Sequence, residues 1–124
     1  TTNDSLADVV QADKIDILRL SATTYWKNET EKVEKAIINK EMLTEFCNHH
    51  TIDTSKITEN TQLDKLVKMI AFIYDLQYKI SFEILKEKDY FNKIIDRFDF
   101  KENQTKESIL DMKKIGNEFI NSKI

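Results

Sequence analysis

Cys47, His49, His50 and Asp53 crowd into one short stretch, and all four are metal-ligand types. A metal centre is the first chemistry they suggest. Their spacing matches no zinc pattern, and the chain has no second Cys and no third His to complete a tetrahedron. Cys47 reads better as a small buried hydrophobe. The two His read as residues at a helix C-terminus, where a positive imidazole suits the dipole. No metal or other cofactor is expected.

Other reaction centres fail on similar grounds. A di-iron bundle needs Glu three residues before a ligating His, and neither His has one. A nucleophile system could draw its base only from His49 or His50, and no motif flanks Cys47 or any Ser. One Gly, at 116, cannot build a Gly-rich phosphate loop. The chain is expected not to be an enzyme.

The elements that would position these residues are helices. The chain has 124 residues, 40% of them hydrophobic, with one Gly and no Pro. That composition suits a single domain of long helices rather than a turn-rich β fold. Net charge is −3, and no Lys/Arg cluster stands out, so no nucleic-acid partner is expected. No apolar run approaches the roughly 18 residues of a membrane span. A single Cys excludes an internal disulfide and favours a cytoplasmic location; a secreted or surface protein is the alternative if a leader was removed.

The stretch 61–86 organises the rest. Stepped at about 100° per residue, its charged residues Asp64, Lys65, Lys68, Asp75, Lys79, Glu83 and Lys86 share one strip. The wide remainder is apolar, far more than the roughly 100° stripe of a surface helix. The predicted fold is therefore all-α: a single-domain helical bundle of about five helices around a central buried helix at 61–86. Thr61 with Asp64 resembles a capping box for its start. Gln77 and Ser81 interrupt the apolar arc one turn apart and are expected to form a polar pair in the core. Phe72 lies on the charged face and gains interest only if it joins a patch.

Around this rod, Leu6, Val9, Val10, Ile17 and Leu20 share one face of the first segment, and Ile15, Leu18, Ala22, Tyr25 and Trp26 the opposite one. Two pieces with a break near Asp13 account for both faces. Asn28 with Glu31 predicts a helix over 29–48, with Val33, Ala36, Ile37, Leu43 and Cys47 as its core stripe. A loop follows at 48–60. Asp89 caps a short helix with Tyr90, Phe91, Ile94, Ile95 and Phe98 on one face. Thr105 caps a last helix to about Ser122, where Gly116 lets a neighbour approach.

On the outer face of the 29–48 helix, Ile38, Met42, Phe46 and His49 remain. Met and aromatic residues at this spacing suit a partner surface. They are the candidate partner-binding residues, with Phe72. Lysines at 38 and 42 should then leave the fold intact. The leading function is a non-enzymatic protein–protein interaction module of inhibitor, immunity, adaptor or chaperone type, binding another protein or a second copy of itself. The alternatives are a surface or extracellular helical binding protein, and a small-molecule carrier using Gln77 and Ser81.

Overall fold

The computed structural model describes residues 14–22, 29–52 and 62–124. Every regular element among the described residues is helical, and none is a strand. The protein is all-α, as its composition predicts. Helix α1 covers 14–22. It is followed by α2 (Thr30–Lys35), α3 (Lys40–Cys47) and α4 (Gln62–Ile70). A 3₁₀ segment (Ala71–Asp75) precedes α5 (Lys79–Lys88), α6 (Tyr90–Asp96) and α7 (Asn103–Ser122). Leu18, Val33, Met42, Leu63, Phe82, Phe91 and Met112 belong to one buried cluster to which every described helix contributes.

The expected central rod at 61–86 is not continuous. After α4 the chain tightens into the 3₁₀ segment, runs extended through Leu76 (φ −75°, ψ 137°) and restarts at Lys79. Neither Gly nor Pro marks the break. Phe72, Ile73, Tyr74 and Asp75 are all weaker helix formers, so the helix is least favoured there. The wide apolar arc supplies the drive. A straight rod would need neighbours on nearly all sides, whereas two halves can face different ones. Helix α4 packs on α2 and α3, and α5 packs on α6 and α7. Gln77 falls in the extended turn and is exposed, while Ser81 is buried in α5. The two are therefore not a jointly buried pair.

The predicted 29–48 helix is also broken. Ala36 (φ −73°, ψ 153°) and Asn39 (φ −79°, ψ 120°) are extended, and Asn39 caps α3 by accepting from the Glu41 amide at 2.9 Å. The break re-phases everything after it. Ile38, Met42 and Phe46 turn inward and are buried, while Ile37 is 62% exposed. The three apolar members of the expected outer face are core residues. Of the expected core stripe, Val33 is buried and Ala36 and Leu43 pack against the core, but a stripe projected at constant phase through a break misplaces Ile37 and the apolar members of the supposed outer face.

Tertiary hydrogen bonds hold this break. Thr105, expected to cap α7, lies inside that helix. Its Oγ1 donates to the Ala36 carbonyl (3.0 Å) and accepts from the Ile38 amide (3.1 Å). The Glu34 carbonyl accepts from the Lys101 amide at 2.9 Å. Backbone groups freed by the missing turn are thus satisfied from the start of α7 and its lead-in.

The C-terminal half follows expectation more closely. Asp89 adopts a left-handed conformation (φ 56°) between α5 and α6, and its side chain, expected to cap α6, makes no cap hydrogen bond. Phe91, Ile94, Ile95 and Phe98 are buried. Gly116 is where α6 approaches α7. A Cβ there would lie 2.6 Å from Phe91 Cε1 and closer still to Cζ. The Phe91 ring stacks on Phe46 at 6.3 Å and is 1% exposed, so it cannot swing into open space. Gly116→Ala should therefore lower stability by about 1–2 kcal/mol, overpacking of about 2–3 kcal/mol against so close a ring outweighing a helix-propensity gain near 1 kcal/mol. A urea midpoint equal to or above wild type would refute this packing.

Candidate functional site

Helix α3 ends in a Schellman motif. The His50 amide donates to the Glu45 carbonyl (2.9 Å) and the His49 amide to the Phe46 carbonyl (3.0 Å). His49 occupies the left-handed position (φ 62°) where Gly is usual. Its ring offsets that strain. It stacks on Tyr74 at 5.3 Å and meets Phe119 at 5.1 Å. Tyr74 also packs edge-on to Phe119 (4.8 Å) and against Phe46 (5.0 Å). The 3₁₀ segment, α3 and α7 are joined through these rings.

Beside this aromatic cluster opens a cleft of about 730 Å³. Met42, Ile52 and Tyr74 supply apolar lining, and Glu41, Glu45 and Asp75 supply carboxylates. His50 Nδ1 lies 2.8 Å from Glu45 Oε2 in an exposed pair. Thr44 also lines the cleft, but its hydroxyl donates back to the Lys40 carbonyl at 3.0 Å. Cys47 is not among the lining residues. Burial, and secondarily the nearby Asp111 charge, push its thiol pKa up, which leaves it a poor nucleophile. Burial first, then the neighbouring Cys47, also raises the pKa of the Tyr74 hydroxyl and keeps it neutral. That hydroxyl oxygen is buried without a hydrogen-bond partner among the described residues.

A second concavity runs along α1. Lys14 Nζ binds Asp75 Oδ2 at 2.8 Å, and Ser21 Oγ donates to Met69 Sδ at 2.8 Å. Residue 14 is thus level with 75 and residue 21 with 69, so α1 runs antiparallel to α4 and the 3₁₀ segment. A groove of about 420 Å³ follows this seam, lined by Ile17, Leu20, Lys65, Lys68, Met69 and Phe72. The Lys14 ammonium lies 5.0 Å from the Phe72 ring centroid. Asp75 lines the cleft and Phe72 the groove. Lys14 touches both and marks their meeting point.

Of the residues expected to bind a partner, His49 and Phe72 line these concavities, on the cleft and the groove respectively. Met42 lines the cleft from its buried position, while Ile38 and Phe46 are interior. Glu41, Glu45, Tyr74, Asp75 and Lys14 were not expected. One signal for them existed: Glu41, Glu45 and His49 recur every four residues and share a helical face. Among the described residues no group of three or more His, Cys, Asp or Glu side chains gathers as metal ligands; Asp53 lies outside them. The first residues to 13, the 23–28 stretch with Trp26, and Thr61 also lie outside, and with them the question of one or two N-terminal helices. Among the described residues no helix is long and apolar enough to cross a membrane. No family model matches the chain, and no curated protein or solved structure matches it, so function is read from the site alone.

Proposed function

We propose that the chain is a non-enzymatic protein–protein interaction module whose contact surface centres on the acid-edged cleft. The observation that carries this reading is the cleft's make-up. Exposed Glu41 and Glu45 stand beside the part-exposed Tyr74 ring, with Met42 and Ile52 buried as the floor beneath. Aromatic residues are enriched at partner surfaces, and a charged rim steers a complementary partner. The partner's contacting segment is therefore basic. The raised Cys47 thiol and the solvent-exposed His50–Glu45 pair give no support to an activated nucleophile.

The test is affinity capture from the source organism with immobilised wild type and a Glu41→Lys/Glu45→Lys variant. Both side chains are exposed, so the fold survives. A partner retained by wild type should bind the variant roughly tenfold more weakly, with the salt dependence of binding reversed. Equal retention by both proteins would remove the cleft from the contact surface.

A small-molecule carrier is the second reading. It is supported by the cleft volume, inside the roughly 300–1,000 Å³ range of ligand sites, and by the unsatisfied Tyr74 hydroxyl. A ligand-dependent rise in melting temperature, absent in Tyr74→Phe, would favour it over the protein partner.

A further inference from the structure

We infer that the groove between α1 and the α4–3₁₀ segment docks an amphipathic helix of a partner protein, one that carries acidic residues beside its apolar stripe. This goes beyond the cleft and rests on the interaction-module reading only in that the occupant is protein.

Its walls are two antiparallel helical segments, and the trough between such walls accepts a third helix lying along it. Ile17 and Leu20 form one wall, three residues apart and 37% and 38% exposed. Met69 and Phe72 form the other, also three residues apart and only partly buried. Apolar side chains spaced three or four apart on an incoming helix fit between these rows. Phe72, isolated in the sequence, thus joins a continuous apolar strip.

Charge selects the occupant. Lys65 and Lys68 stand on the rim, and neither forms an ion pair among the described residues. They lie one turn apart in the helix whose apolar residues Leu66, Val67 and Ile70 are buried. A helix bearing Glu or Asp beside its apolar stripe would pair with both. A basic helix would be repelled here and drawn to the carboxylates of the cleft. The two concavities therefore prefer opposite charges, and the Lys14–Asp75 pair separates them.

Fluorescence anisotropy of two labelled synthetic helices with the intact protein tests the groove. Both carry the same leucine stripe; one is flanked by Glu, the other by Lys. The Glu helix should bind wild type. A Lys65→Glu/Lys68→Glu variant should bind it about tenfold more weakly. Ile17→Asp should weaken it at least as much, with the circular dichroism spectrum unchanged, because Ile17 is surface-exposed. Glu41→Lys/Glu45→Lys should leave Glu-helix binding within twofold, which separates failure of the groove from failure of the cleft. The proposal is overturned by no binding of the Glu helix, by equal loss in the cleft variant, or by binding insensitive to the lysines and to Ile17. Capture of phosphatidylserine vesicles through Lys65 and Lys68, without helix binding, would assign the groove to membranes and overturn it as well.

Discussion

Met42→Lys will leave the protein unfolded at room temperature. Met42 is 0% exposed, in the first turn of α3, and belongs to the same buried cluster as Leu63, Phe46 and Met112. An ammonium there would lose its hydration, because Glu41 and Glu45 of the adjoining cleft stand at its exposed edge rather than in the buried cluster around residue 42. Burying an unpaired charge costs several kcal/mol even after relaxation. Lysine is about as long as methionine, so little volume is lost and the charge carries the cost. A penalty of several kcal/mol is comparable to the lower part of the whole stability of an ordinary domain, roughly 5–15 kcal/mol. The control is Ile37→Lys, five residues earlier. Ile37 is 62% exposed, so its replacement should change the melting temperature by no more than a few degrees. Thermal melts by circular dichroism read both variants. The helical periodicity of an unbroken 29–48 helix demands the reverse, a tolerated Met42→Lys and a damaging Ile37→Lys. A cooperative Met42→Lys melt close to wild type would restore that reading and dismantle the core described above.

The contrast shows which parts of the fold are legible in the residues. Helix α7 and the α5–α6 break at Asp89 have local causes: an amphipathic stripe through Ile109, Met112 and Ile120, and a residue type that tolerates the left-handed conformation. The close approach at Gly116 is likewise local, since only a missing side chain permits it. The breaks at 36–39 and 71–78 have no such mark. The first is held by Thr105, 67 residues from Ile38 in the chain, and the second by neighbours that take the two halves of one apolar segment on different sides. Periodicity cannot see either, and each error propagates: a lost turn at 36 exchanges Ile37 with Ile38, and a lost turn at 76 moves Gln77 from core to water.

The concavities were legible only in fragments, for the same reason. His49 is legible as the end of the Ile38–Met42–Phe46 stripe, and Phe72 as an aromatic on the charged face of the 61–86 stretch. Glu41, Glu45 and Lys65 are not, because a third of the chain is charged. Their significance comes from what lies between them, and that depends on α1 meeting α4 and on α3 meeting the 3₁₀ segment.

Thr105→Val should then destabilise the protein by about 2–4 kcal/mol, without changing the size of any side chain. Thr105 is 0% exposed, and its hydroxyl is both donor and acceptor to the α2–α3 linker. Valine keeps the shape and removes both bonds. The Ile38 amide and the Ala36 carbonyl then lose the Thr105 partner in a water-poor place, each at about 1–3 kcal/mol. The midpoint of thermal unfolding should fall by on the order of 10 °C. Thr105→Ser keeps the hydroxyl and loses one methyl, so it should cost only about 1 kcal/mol. The cause is separable from general loosening. In native-state hydrogen exchange the Ile38 amide should lose protection in the Val variant by more than amides elsewhere in α3, and regain it in the Ser variant. A Val variant as stable as wild type, or one in which Ile38 exchanges no faster than its neighbours, would mean that local backbone preference alone sets the break, and the inward turn of Met42 and Phe46 would need another cause.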